Sequence, residues 1–257
     1  MAHTSNNNSN SCFTPLKDWS CISVIGPDAV DFLQNQLTNS VKSITNTPAA
    51  SIASPHQQNR FAGYCSAKGR LMASFWIARQ VTSVGGANVE ATESQPAFYL
   101  FISKDLAATL AKRLSMFVLR SKVKVLDLTE SIDIYGYALE ANESRDELAK
   151  MVAISGVITV ELPAVSINQV QTKRYLLAVP KNQAMSDVHR GALQAWNWLE
   201  IQSAIPRITQ ATFEQFVPQM INMESLKGID FQKGCYPGQE VVARSQYRGT
   251  IKRRLQV

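Results

Sequence analysis

Between residues 19 and 25 the chain alternates large or apolar residues with small polar ones, Trp-Ser-Cys-Ile-Ser-Val-Ile, and stops at Gly26-Pro27. Such a period of two, ended by a Gly-Pro pair, predicts a half-buried strand and a turn. Asp28 then stands where a helix cap is needed, ahead of Val30, Phe32, Leu33 and Leu37 on a buried side. Residues 61–65 and 71–78 predict two strands around the glycine bend Ala67-Lys68-Gly69, and the apolar run 98–102 predicts a fully buried strand. Leu106, Leu110, Leu114 and Phe117 mark one face of a helix, with a strand following at 122–126. Two strands, a third strand, a helix and a strand in this order describe a small α+β unit of ferredoxin-like character. Further strands are expected at 132–139, 158–162 and 175–179, and a long helix at 188–204; no repeat of solenoid length is present.

The connecting stretches have their own chemistry. Residues 1–11 are rich in Asn and Ser and carry too little apolar surface to fold, so a flexible tail is expected. The polar stretch 43–54 reads as a linker, and 83–95 as a loop. At 257 residues, 45% hydrophobic and 18% charged, the chain has the composition of a soluble globular protein of one large or two small domains. It lacks both the ~18 consecutive apolar residues a membrane helix needs and a basic-then-apolar leader, so a cytoplasmic protein without a membrane partner is expected.

Four cysteines, Cys12, Cys21, Cys65 and Cys235, are too widely spaced for a zinc site or a disulfide framework, and no metal site is expected. The net charge of +6 is uneven: from Val241 onward there is no acid, whereas Arg244, Arg248, Lys252, Arg253 and Arg254 fall there. That run suits RNA phosphates, an anionic ligand or simply a solvated face.

The octapeptide Lys233-Gly234-Cys235-Tyr236-Pro237-Gly238-Gln239-Glu240 gathers a thiol, an amine, an amide and a carboxylate around one bend. Pro237-Gly238 suits the centre of a type II turn, and the residues that follow permit a short helix. A thiol near a helix N-terminus and beside Lys233 is expected to ionise more readily than usual. A buried structural cysteine in a tight loop is the alternative.

These residues, with Val242-Ala243-Arg244 and Tyr247-Arg248-Gly249, resemble the K-G-C-Y-x-G-Q-E signature of the YgfZ family of folate-binding proteins, relatives of the T-protein (aminomethyltransferase) of the glycine cleavage system. The resemblance extends through Gly26-Pro27-Asp28-Ala29, Gln36-Leu37-Thr38, Cys65-Ser66-Ala67-Lys68-Gly69-Arg70 and Phe216-Val217-Pro218-Gln219-Met220-Ile221-Asn222, covering about residues 16–254. It implies a tetrahydrofolate-binding factor that supports iron-sulfur cluster assembly or repair in client enzymes, and through them tRNA modification. By position, Trp19 and Trp196 match tryptophans used against folate, while Trp76 and Trp198 are left as packing residues. Cys235 would be the reactive residue, Lys233 its support, with Tyr236 packing the turn and Gly234, Gly238, Gln239 and Glu240 completing the motif.

The resemblance also implies two intertwined α+β units and a C-terminal β-barrel. On that plan residues 1–13 are the tail, 14–54 and 127–225 a discontinuous folate-cleft unit, 55–126 the inserted ferredoxin-like unit, and 226–257 the motif segment with the possible start of a truncated barrel. One departure bears on chemistry. The T-protein carries an aspartate just after the glycine turn, whereas Leu71-Met72-Ala73-Ser74-Phe75 holds no acid here. Binding without aminomethyl transfer is therefore expected. The rival readings are a folate-dependent one-carbon transferase, which needs a carboxylate in the cleft, and an RNA-binding module using the basic run. Direct tRNA contact is left open.

Overall fold

The computed structural model describes residues 12–83, 94–183, 192–247 and 253–256. Residues 1–11 of the expected tail, the middle of the 83–95 loop, the start of the long helix, Arg248 and Lys252 lie outside the described residues, whereas Cys12 and Phe13, placed in the tail on the family plan, are buried in a strand.

The protein is built on two five-stranded sheets. The first has the order β1 (Cys12–Pro15), β8 (Ile132–Glu140), β10 (Val170–Pro180), β9 (Ile158–Ile167) and β3 (Ile52–Ala53), antiparallel except for the parallel β3–β9 edge. The second has the order β4 (Asn59–Cys65), β5 (Leu71–Ser83), β6 (Ser94–Ser103), β2 (Trp19–Ile25) and β7 (Lys124–Asp127), antiparallel throughout. Helix α2 (Lys104–Met116) buries Leu106, Leu110 and Leu114 in the main core beside the second sheet, as predicted, whereas Phe117, expected on the same face, follows the helix end and is exposed.

The first sheet shows why strand periodicity fixes layers. Tyr137, Leu139, Tyr175, Leu177 and Val179 form a small core with Leu148, Met151 and Val152 of α3 (Asp146–Val152). Their alternate neighbours Ile134, Ala138, Leu176 and Ala178 enter the main core shared with the second sheet. Successive strand residues point to opposite faces, so each strand feeds two cores.

Four further expectations change. Residues 19–25 are not half-buried and do not join the first sheet, although residues 14–54 were expected to unite with 127–225. β2 lies between β6 and β7, and Ser20, Cys21, Ile22, Ser23 and Val24 are all buried. The small serines fit because the strand is covered on both faces; Ser20 shares a hydrogen bond with Thr129 at 2.6 Å. Asp28 does precede α1 (Ala29–Gln34), but its carboxylate accepts from the Lys122 backbone N–H at 2.7 Å and does not cap the helix. The polar stretch 43–54 is no free linker: Ile44 and Thr47 are buried and Ile52–Ala53 form the parallel edge strand. Helix α4 is described over Leu193–Gln202, ending before the expected residue 204.

One close approach locks α4 onto the first sheet. Trp196 is buried, and its ring fills the space over Gly136 of β8, where an added Cβ would lie 2.5 Å from a ring carbon. Gly136→Ala is expected to destabilise the protein by about 1–3 kcal/mol through overpacking. Denaturant unfolding measures it, and an unchanged midpoint would show that α4 shifts freely on the sheet.

Candidate functional site

The motif forms the bend its residues predict. The Gln239 N–H donates to the Tyr236 carbonyl at 3.2 Å, and Gly238 has φ +78°, the positive value a type II turn requires at that position. Helix α5 (Gln239–Tyr247) follows at once. The turn is pressed against the β4–β5 bend: a Cβ at Gly238 would lie 2.3 Å from the Ser66 carbonyl oxygen, and one at Gly69 would lie 2.7 Å from the Val241 side chain. Two glycine turns thus interlock, which explains why segments 170 residues apart in sequence both need glycine. Tyr236 is buried, which pushes its phenol pKa up, with Cys65 and Asp230 adding to the shift. Cys235 and Glu240 are exposed, and the i to i+4 pair of Glu240 with Arg244 forms no ion pair.

Lys233 does something other than support the thiol. Its ammonium is buried and donates to the carbonyls of Gln34 at 2.5 Å, of Leu37, and of Asn39 at 3.5 Å. These carbonyls end α1 and its following turn, where the helix leaves acceptors unsatisfied. The same two segments are stitched elsewhere. Thr38 donates to the Gly228 carbonyl at 2.7 Å, Asn39 to the Lys227 carbonyl at 2.7 Å, and the Asp230 N–H to the Thr38 carbonyl at 2.9 Å. Burial pushes the Lys233 pKa down to about 8, against the opposing pull of Asp230.

A cleft of about 570 Å³ opens beside this stitched segment, lined among others by Asn59, Arg60, Phe61, Trp76, Lys227 and Asp230. Gln232, three residues before Cys235, is part of its rim. Phe61 and Trp76 sit opposite each other on β4 and β5, ring centroids 5.2 Å apart. Asn59 is fully buried: its amide donates to the carbonyls of Ala53 at 2.6 Å and Glu161 at 2.9 Å, while its Oδ1 has no partner.

Behind Phe61 and Trp76 lies a narrow seam between the sheets, about 10 Å³ and so room for little more than one water, bounded by Trp19, Ser74, Arg174, Glu200 and Arg207. Arg174 is buried and pairs with Glu200 at 3.3 Å. Burial raises the Glu200 pKa, against the attraction of Arg174 and then Arg207. Arg207 lies over the Trp19 ring at 4.4 Å and pairs with Asp18. Beyond Trp19 a second cleft of about 440 Å³ opens, with Lys17, Lys104 and Tyr135 in its walls.

Trp19 borders the smaller cleft and the seam but not the larger cleft, whereas Trp196 fills the Gly136 notch and lines neither opening. Trp76, left to packing, lines the larger cleft, and Trp198 is 53% exposed on α4. The signal for Trp76 lies in strand periodicity: it is two residues from Ser74, hence on the same face, and pairs across the hairpin with Phe61. Of the cysteines, Cys12, Cys21 and Cys65 are buried, and burial pushes the Cys65 thiol up to about 12. Among the described residues no group of His, Cys, Asp and Glu is arranged to hold a metal ion.

Comparison with known proteins bears on this arrangement. The chain is 29% identical over 252 residues to the tRNA-modifying protein YgfZ of Klebsiella pneumoniae (strain 342), covering 93% of this chain and 69% of that one. It is 27% identical over 267 residues to the protein of the same name from Vibrio atlanticus (strain LGP32), covering 100% and 72%. The chain is a homologue of the YgfZ proteins. In fold it is similar to the glycine cleavage system aminomethyltransferase T of Bartonella henselae, with a TM-score of 0.61 at 14% identity over 94% of this chain; it spans 64% of that chain's length. No family model matches. The fold is thus mixed α+β with two sheets, T-protein-like, as the YgfZ resemblance implies.

The Lys233 tether yields a pH test. Lys233→Met leaves three carbonyls without their donor and is expected to cost about 2 kcal/mol at pH 7. Because the folded pKa lies below the unfolded one, the unfolded chain holds more protons between about pH 8 and 10.4, and wild-type stability rises across that window. Chemical unfolding of both proteins at pH 7, 8.5 and 10 should show the gap widening with pH; a constant gap would mean Lys233 is not perturbed.

Proposed function

We propose that this chain binds a tetrahydrofolate in the larger cleft, and acts in the cytoplasm as a factor for iron-sulfur cluster assembly or repair in client enzymes, and through them for tRNA modification. The observation that carries the binding is the unpartnered, buried Asn59 Oδ1 beside the Phe61–Trp76 pair. A buried acceptor without a donor is costly, and a flat ring bearing N–H groups supplies both the donor and the aromatic contact. Arg60 and Lys227 in the same walls suit the carboxylates of a glutamate tail. Trp19 bounds the far end of the seam, and Trp196 fixes α4, and with it Glu200, by filling the Gly136 notch.

The relatives named as tRNA-modifying proteins and the T-protein-like fold support this reading. A reduced folate supplies a carrier for one-carbon units when bound. The chain's own residues enclose flat rings, pair with carboxylates and exclude water from the seam. Cys235, exposed beyond the rim, is the group offered to iron-sulfur client or assembly proteins. On this reading Lys233, whose ammonium is held by carbonyls of α1 and its following turn, is not what serves the thiol. The finer architecture, a ferredoxin-like unit inserted between two halves of a folate-cleft unit, is kept within this reading.

Folate-dependent one-carbon transfer has one observation in its favour, since Glu200 places a carboxylate in the seam. Its pairing with Arg174 and the hydroxyl of Ser74 in the acid-free stretch weigh toward binding alone. The RNA-binding reading loses part of its basic run, because Arg254 pairs with Glu224 at 2.6 Å.

Anaerobic titration with tetrahydrofolate, followed by tryptophan fluorescence, tests the binding. Wild type and Cys235→Ala should saturate alike, Trp76→Ala should weaken binding about tenfold or more through lost ring contact, and Trp198→Phe should leave it unchanged. Equal affinity in Trp76→Ala would move the ligand out of this cleft. Full rescue of iron-sulfur enzyme activity in a deletion strain by Cys235→Ala would remove the role given to the thiol.

A further inference from the structure

The turn that ends α2 carries apolar side chains outward where a soluble surface would hide them. Met116 is 65% exposed, Phe117 41% and Leu119 87%, whereas Val118 between them packs against the main core. This inversion is built into the backbone. The Phe117, Val118 and Ser121 N–H groups donate to the carbonyls of Leu114 at 2.9 Å, Ser115 at 3.3 Å and Val118 at 2.7 Å. Leu119 itself has φ +44°, a region that side-chain-bearing residues seldom adopt.

The turn is also clamped to the body. The Lys122 N–H is held by Asp28, and the Lys122 carbonyl lies where a Cβ on Gly26 would come within 2.1 Å. Three exposed apolar side chains are therefore presented on a fixed turn, and not on a loose one.

Apart from Asp28, whose carboxylate accepts from the Lys122 N–H, the charges the turn's own segment brings are all of one sign. From residue 112 to 124 the chain carries Lys112, Arg113, Arg120, Lys122 and Lys124 and no acid. Arg113 lies over the Phe117 ring at 6.0 Å. Phosphates of RNA would meet the cations but gain nothing from Leu119 and Met116. An anionic bilayer meets both, since headgroups face the cations while the apolar tips enter the acyl boundary.

We propose that this turn is a peripheral contact for an anionic phospholipid surface, with Met116, Phe117 and Leu119 as the inserted tip and the five cations as its ring. No helix among the described residues is long and apolar enough to cross a membrane. The expectation of no membrane partner followed from the lack of such a segment, and a three-residue tip is a separate matter. The tip lies outside the folate cleft, so the two readings stand or fall separately.

Co-sedimentation with phosphatidylglycerol–phosphatidylcholine vesicles, against pure phosphatidylcholine, tests the surface at low and at physiological salt. Wild type should bind the anionic vesicles and release with salt. Leu119→Asn, a residue that tolerates positive φ, combined with Met116→Ser, should weaken the partition about tenfold or more, with an unchanged melting temperature. Arg120→Glu with Lys122→Glu should abolish it. Equal partition of wild type and the Leu119→Asn, Met116→Ser protein would overturn the proposal, as would failure of wild type to prefer anionic vesicles. Salt-sensitive binding of bulk tRNA, lost in the charge-reversed protein but kept in the apolar variant, would assign the turn to nucleic acid instead.

Discussion

One buried cation anchors the segment that leads into the motif. Lys233 reaches the carbonyls that end α1 and its following turn, almost 200 residues earlier in the chain. An ammonium has three donors and α1 leaves unsatisfied carbonyls, so the numbers match. An arginine would bring a larger planar group to a site formed by converging carbonyls, and a neutral residue would leave those acceptors bare. Segment 227–233, held this way, is at once a wall of the larger cleft and the lead into Cys235. Cleft wall and thiol are therefore carried by the same segment of chain.

Around that tether the fold places aromatic and charged groups by strand register rather than by proximity in sequence. The β4–β5 hairpin brings Phe61 opposite Trp76, and its bend carries Gly69 to Gly238. The opposing sheet contributes Leu162 and Arg174, and α4 contributes Glu200. A shift of one residue in β5 would turn Ser74 and Trp76 away from the seam together. The long, buried register of β5 against β6 guards against such a slip.

Much of this was legible in the sequence where the signal is local. The Pro237-Gly238 turn, the helix after it, the strands of the hairpin and the buried face of α2 all follow from residue spacing and φ preferences. What failed was long-range. Alternation in residues 19–25 reads as a half-buried strand, yet serine is small enough to sit in a strand buried on both faces, so the pattern cannot distinguish the two. Asp28 has the residue type of a cap, but its carboxylate is claimed by Lys122 from another segment. Lys233 looks like a partner for its neighbour in sequence, and its true partners lie across the fold. Trp196 matches the family by position, and only the empty face of Gly136 shows that its ring is needed there as packing.

The tether also changes how the thiol must be understood. The lysine ammonium is drawn into the carbonyls of α1 and its following turn, and the first turn of α5 after the motif carries the acid Glu240. What sets Cys235 apart is access, since the three other cysteines are buried and Cys65 is pushed toward the neutral form. The motif's close-packed half, Lys233, Tyr236 and Gly238, holds the bend in place, while its open half, Gly234, Cys235 and Glu240, faces outward. Such a division suits contact with another macromolecule better than chemistry inside an enclosed pocket. The larger cleft lies one segment away, with Gln232 on its rim.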